Sequence, residues 1–183
     1  REVGDMWGTG LFKANACDFC DDVVTELADI SLGDAWLEPY SLDGRGTSVI
    51  VTRSPIAELI VQEGMGKSEI VIESISPDTM RASQQGSYNH RHEGLYVRLK
   101  EARAKGIPIA EKRDGKKPVL PDVFIVQVMR RLTRKKSLKV WSDVETSAEF
   151  DKKMEKTLSY LKLSTKVTQY RRGALRRVKG LLK

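Results

Sequence analysis

Cysteine is scarce in this chain: two in 183 residues, Cys17 and Cys20. Adjacent Cys-x-x-Cys is no disulfide framework for a chain of this size, so the pair suggests a reducing, cytoplasmic setting. Histidine is equally sparse, with only His90 and His92. No apolar run approaches the roughly 18 residues that a membrane span needs. There is no internal repeat and no low-complexity tract. The chain opens on Arg1 rather than Met, and no signal-peptide pattern follows. It therefore reads as part of a longer product, or as one trimmed at its start. Acidic residues are few in the second half. Residues 101–183 hold 23 Lys/Arg against 9 Asp/Glu, whereas residues 1–100 hold 9 against 16.

The length suffices to bury a real core, most simply as one domain with an appendage. We divide the sequence at 1–110 and 111–183, the second region being basic and helical. A basic half can meet nucleic acid, an anionic membrane surface or an acidic protein. It can equally be a set of solvated helix faces.

The opening Met6–Lys13 stretch has strand-like residues broken by glycines. Asp21–Leu27 suits a short helix. Ala28–Leu32 alternates apolar and polar side chains, as a strand does, and Gly33-Asp34 would end it. Thr47–Arg53 is β-branched and apolar and predicts a buried strand. Ser54-Pro55 can cap and start a helix. Ile56, Leu59 and Ile60 share one face of that helix, and Gly64 can stop it. Glu69–Ile75 alternates again, completing a strand–helix–strand unit. Ser76-Pro77 starts another short helix.

Beyond residue 94 the pattern turns helical. Leu95, Leu99 and Ala102 fall at helical spacing, with Gly106 as a stop. Lys112–Pro121 reads as a loop. Phe124, Val128 and Leu132 mark a second helix. Thr146-x-x-Glu149 is a capping-box pattern. Phe150, Met154, Leu158 and Leu161 follow at helical spacing. Val167, Tyr170, Ala174, Val178 and Leu181 continue an apolar stripe, with a break expected near Ser164. Lys166, Arg171, Arg172, Arg176, Arg177 and Lys179 take the opposite face. The fold class expected is α+β: a mixed β-sheet with packed helices first, then a mainly helical basic half.

Cys17-Asp18-Phe19-Cys20 is the sharpest chemical feature. Two thiolates three residues apart can hold one metal or adjacent irons of a cluster. A 4Fe–4S cluster takes four ligands, so two cysteines cannot complete an all-thiolate set. A zinc site could add His90 and His92, although His-x-His is closer than the usual spacing. A thioredoxin-like redox pair lacks its preceding strand and following long helix. Two unliganded thiols are the plain alternative.

The wider context narrows this. Ala16–Asp22, then Glu26–Trp36 with its Ala-Asp-Ile-Ser-Leu-Gly-Asp run, then Gly46–Val51 resemble the C-terminal domain of coenzyme F-420 hydrogenase/dehydrogenase beta subunits. Met6-Trp7-Gly8 adds to the likeness, and Trp36 with the long basic tail looks most like bacterial members. The resemblance implies an iron–sulfur flavoprotein oxidoreductase. It would pass electrons between a 4Fe–4S cluster, FAD and a partner, whether a redox protein, a ferredoxin or the deazaflavin coenzyme F-420. It implies that Cys17 and Cys20 are cluster ligands. Asp29, Ser31, Gly33, Asp34, Gly46, Thr47 and Ser48 would lie near flavin or cluster. Family proteins usually carry a ferredoxin-like segment and further flavin-binding sequence upstream. That segment is a required partner, and the chain by itself is not expected to be active.

Each of these residues also has a bland reading. Gly46-Thr47-Ser48 leaves amides and hydroxyls open to a ligand, as at phosphate sites, or simply turns the chain into a strand. Asp29 and Asp34 could orient cysteine or flavin contacts, or cap turns. Asn89-His90-Arg91-His92 could meet a flavin phosphate or an acidic substrate, or be an exposed helix start. Trp7, Trp36 and Trp141 could stack on an isoalloxazine ring, or fill a core. Competing readings of the whole are a zinc-stabilised domain and a non-enzymatic basic module. Nucleic acid is disfavoured as that module's partner, since no aromatic-rich recognition motif is present. Peripheral membrane contact through the basic C-terminal helix remains open.

Overall fold

A computed structural model describes residues 8–112 and 119–181. Met6, Trp7 and the centre of the Lys112–Pro121 loop lie outside the described residues. The chain forms two compact units, Cys20–Glu93 and Arg1–Phe19 with Gly94–Lys183. The class is α+β with a helical second half, as the sequence predicts. None of the described helices is long and apolar enough to cross a membrane.

The Cys20–Glu93 unit is built on a hairpin. β1 (Ile30–Asp34) pairs antiparallel with β2 (Ser48–Thr52), placing Ile30 opposite Thr52 and Asp34 opposite Ser48. β1 begins two residues later than expected and includes Gly33-Asp34 rather than ending at it. The described sheet is this antiparallel pair, where the sequence suggested a mixed sheet. Glu69–Ile75 joins no strand. Ser68 turns the chain at φ 59°, and the Glu69 amide bonds back to the Gly64 carbonyl at 2.9 Å. Val71 is then fully exposed, so its alternation packs on nothing.

α1 (Pro55–Gly66) starts as expected, with Ser54 Oγ accepting from the Ala57 amide at 3.3 Å. Gly64 lies inside the helix rather than after it. A Cβ there would stand 3.1 Å from the Ile70 side chain, so the bare glycine is what lets the returning chain close over the helix. The buried face is Ala57, Val61 and Gly64, while Ile56, Leu59 and Ile60 face out. Ser76 caps α2 (Pro77–Ser83) by accepting from Thr79 at 3.1 Å. α3 (Gln85–Tyr88) and a π-helical turn, Asn89–Glu93, close the unit.

Asp21–Leu27 is not a helix. The Asp22 carboxylate accepts the Glu26 amide at 3.2 Å, which gives the backbone a local alternative to helical bonding. Thr25 sits at φ 54°, which no right-handed helix allows.

The other unit contains α4 (Leu95–Ala104), α5 (Pro121–Ser142) and α6 (Ser147–Leu181). Leu95, Leu99 and Ala102 are buried as their spacing predicts. Gly106 ends α4 at φ 65°, with the Ile107 amide returning to the Ala102 carbonyl at 3.0 Å, a Schellman pattern. Thr146 Oγ1 accepts from the Glu149 amide at 3.3 Å, and the Glu149 carboxylate accepts from the Glu145 amide at 3.2 Å, so a capping arrangement starts α6.

α5 and α6 run antiparallel. Asp122 meets Arg171 at 2.7 Å and Lys136 meets Thr157 at 3.0 Å, the same register fourteen residues on along each helix. Val140, Phe150, Met154 and Leu158 form the core. Phe12 stacks on Phe150 at 5.3 Å and meets Trp141 edge-on at 5.4 Å, so Leu11-Phe12 is a plug in this core rather than a strand. Gly10 and Phe12, both at positive φ, bend the segment into it. No break occurs at Ser164, because Ser164 and Thr165 bond back to the Leu161 carbonyl at 3.0 and 2.8 Å within the helix.

Phe124, Val128 and Leu132 lie in α5, but Phe124 and Leu132 are about half exposed. The inner face is instead Val123, Val126, Gln127, Thr133, Arg134, Ser137 and Val140. Much of that face is polar, and what it encloses is a carboxylate.

Candidate thiol site

Cys17 lies in a 3-10 turn, Asn15–Phe19, and is exposed; Cys20 follows it and is half-buried. Neither forms a disulfide. The turn is held from within its own unit by Asp18, a buried residue. Arg134 pairs with its carboxylate, and Lys13 lies 3.4 Å from the other oxygen. Arg98 Nε donates to the Asp18 carbonyl at 2.6 Å, and Arg98 also bonds Gln127. Burial pushes the Arg98 guanidinium down to about 10, against the pull of Asp18. Burial also lowers Lys13, with Asp18 and Cys17 opposing it. Arg130 is lowered by burial in the same way. A carboxylate thus sits among several cations in the turn that carries Cys17.

Within the other unit, the stretch after Cys20 is fastened by the π-helical turn and by Arg53. Arg91 Nη1 lies 3.6 Å from Cys20 Sγ and also donates to the Asp22 carbonyl. His92 Nε2 lies 2.9 Å from the Asp21 carbonyl oxygen. Arg53 Nη2 donates to the Val24 carbonyl at 2.7 Å, and Nη1 to that of Ala28 at 3.0 Å. A π-turn is unusual in helices and recurs at functional sites. Here it turns Arg91 and His92 onto the loop that carries Cys20.

The remaining candidate residues fall at two ends of the hairpin. Asp29 and Ser31 stand near Arg53: the Asp29 carbonyl accepts the Arg53 amide at 2.7 Å, and Ser31 Oγ lies 3.4 Å from both terminal nitrogens. Gly33 and Asp34 pair with Val49 and Ser48 at the other end. There the Thr47 carbonyl accepts the Ala35 amide at 3.0 Å, and Gly46 takes φ 85°, which glycine adopts without strain. Gln84 Nε2 donates to the Asp34 carbonyl at 2.6 Å. Gly33, Asp34, Thr47 and Ser48 are therefore neighbours, while Asp29 and Ser31 belong to a separate group. Trp36, just past β1, is 67% exposed and fills no core. Trp141 belongs to the aromatic core described above, although one side stays exposed.

Residues 2–78 match the family model for the C terminus of the beta subunit of coenzyme F420 hydrogenase/dehydrogenase. The resemblance read from the three motifs is borne out. The matched segment contains both cysteines, the hairpin and α1, and stops within α2. No curated protein and no solved structure matches the chain.

Several residues around the two thiols were not legible in sequence. Arg91 stood inside a polar run, but nothing linked it to Cys20 across 71 positions. Asp18 lay inside the motif with no sign of its burial. Arg53, Gln84, Arg98, Gln127 and Arg134 gave no signal, since arginine and glutamine usually mean solvated surface. Among the described residues, no group of three His, Cys, Asp or Glu side chains is arranged to hold a metal ion. His92 is turned to a backbone carbonyl, which removes support for a zinc site on the two histidines.

Proposed function

We propose that this chain is the C-terminal part of an iron–sulfur flavoprotein oxidoreductase of the coenzyme F-420 hydrogenase/dehydrogenase beta-subunit type. Cys17 and Cys20 supply two thiolates to a 4Fe–4S cluster, and upstream sequence of the same protein supplies the others. The observation that carries this reading is the pair of free thiols, one exposed and one half-buried, in a segment that matches the family. The donor set fits half of such a cluster: soft sulfur ligands, cations nearby, and flanking residues tied down on both sides. When bound, the cluster would relay single electrons to FAD, and FAD would exchange them with a redox protein, a ferredoxin or coenzyme F-420.

The chain's own residues hold and tune. Asp18 fixes the turn that presents Cys17, and Arg91 fixes Cys20 and donates toward its sulfur. Thr47 and Ser48 offer hydroxyls suited to a flavin phosphate at the loop end they share with Gly33, Asp34 and Gly46, and exposed Trp36 beside them supplies an apolar ring face. Asp29 and Ser31 lie at the other end of the hairpin, beside Arg53, which holds the stretch after Cys20 through the Val24 and Ala28 carbonyls.

Anaerobic purification of the full-length protein tests the reading. Bound iron and flavin, with iron lost in Cys17→Ser and Cys20→Ser, is the expected result. A colourless, iron-free product would overturn it.

A further inference from the structure

The second half of α6 presents a feature that the redox reading leaves unused. Tyr160, Leu163, Val167, Tyr170, Ala174 and Val178 recur at intervals of three and four residues, so they share one face over about 27 Å of helix. That face is open. Leu163 is 61% exposed, Tyr170 80% and Val178 53%. The core-facing side of the same helix, Phe150 to Leu161 and then Thr168, is a different stripe. The register of the α5–α6 pair places Arg171 beside Asp122 in the first turn of α5, so the helix beyond it runs past the end of α5.

On the helix itself the charge around this stripe is of one sign. No Asp or Glu occurs after Glu155. Lys162, Lys166 and Arg177 line one edge and are exposed. Pairing the stripe with a second copy of itself would bring like charges together, which disfavours a homodimeric coil. An apolar face with tyrosines, bordered by cations and carried on an otherwise polar helix, is the pattern of a segment lying in a membrane interface.

We propose that the Tyr160–Val178 face of α6 docks on an anionic lipid surface. Its apolar side chains enter the headgroup boundary, and Lys166 and Arg177 engage the lipid phosphates. The proposal is independent of any cofactor, so it stands or falls separately from the redox assignment.

Vesicle co-sedimentation of the 183-residue chain tests it. Probes are pure phosphatidylcholine and phosphatidylcholine mixed with phosphatidylglycerol. Binding is expected to the mixed vesicles only and to weaken with salt, since each basic side chain near such a surface is worth roughly fivefold in partition. Lys166→Gln with Arg177→Gln should lower it by about 10-fold or more. Val167→Ser with Tyr170→Ser, which leaves the charge intact, should lower it by about 10-fold as well. All these side chains are exposed, and unchanged helicity by circular dichroism confirms that the variants fold. Equal binding to neutral and anionic vesicles overturns the proposal. So does full binding by the Val167/Tyr170 variant, the result expected if the helix only attracts polyanions such as nucleic acid. Absence of vesicle binding together with capture of an acidic helical peptide also overturns it, in favour of a protein partner. Vesicle binding by the chain that vanishes in the full-length protein overturns it too, since upstream sequence would then cover the face.

Discussion

Arg91 Nη1 stands 3.6 Å from Cys20 Sγ while also holding the Asp22 carbonyl. One guanidinium thus fixes both the sulfur and the backbone that follows it. A donor to a ligating sulfur withdraws charge from the metal centre and raises its reduction potential. Removing one such bond, worth ~1 kcal/mol, corresponds to ~40 mV in a one-electron couple. On the proposed ligation of a cluster by Cys20, Arg91→Gln in the full-length protein is expected to lower that cluster's midpoint potential by that order in a redox titration, with iron content reduced. Arg91→Lys should fall between, because an ammonium can replace the charge but not both bonds. An unaltered potential with full iron would show that Arg91 is only a loop anchor.

Asp18 is buried, with Arg134 and Lys13 beside its carboxylate and Arg98 bonded to its carbonyl. Removing one partner of a buried ionic cluster leaves charge without its counterion, at a typical cost of ~3–5 kcal/mol. Asp18→Asn should therefore lower the urea midpoint of the chain by an amount in that range. A small effect of Asp18→Asn would mean that the arginines are balanced by solvent instead.

The contrast between α6 and α5 shows what sequence can carry. In α6 the inner face is Phe150, Met154, Leu158 and Leu161, and hydrophobic spacing alone locates it. In α5 the inner face includes Gln127, Thr133, Arg134 and Ser137, because its neighbour is the polar turn around Asp18. Periodicity of apolar residues then points to the wrong side, toward Phe124 and Leu132. The cysteine segment and the hairpin motifs were legible because their short, ordered patterns restrict residue type locally. Arg91 and Asp18 were not, since their meaning comes from partners many positions away. The expected strand at Glu69–Ile75 failed for a related reason: alternation forms a strand only where another edge is available to pair.

Gly94 shows how closely α4 approaches α5. A Cβ at this position would stand 2.5 Å from Gln127 Nε2, and Gln127 is itself buried and bonded to Arg98. Gly94→Ala must displace Gln127, and with it the Arg98 guanidinium that holds the Asp18 carbonyl. Overpacking of this kind typically costs ~1–3 kcal/mol. Thermal unfolding of Gly94→Ala should show that loss, and Gln127→Ala on the same background should restore part of it by making room. If Gly94→Ala is as stable as the parent chain, the two helices have more freedom than their spacing indicates.

The Asp122–Arg171 pair makes the α5–α6 hairpin sensitive to acid. Partial burial pushes the Asp122 carboxyl up, but its bonds to Arg171 and Thr168 outweigh this, and its pKa lies below the ordinary aspartate value. A carboxyl depressed in the folded state binds its proton more readily when unfolded. Its contribution is therefore fully present above the unfolded value of roughly 4, and is lost as pH falls through the lower folded value. The pair is partly solvated, which keeps its worth below ~1 kcal/mol. Asp122→Asn should accordingly lower the urea midpoint slightly at pH 7, and the difference from the parent chain should shrink as pH falls below about 4. High salt at pH 7 should reduce the same difference. A gap between variant and parent that stays constant from neutral to acid pH would show that the ionised carboxylate of Asp122 is not the source of the difference.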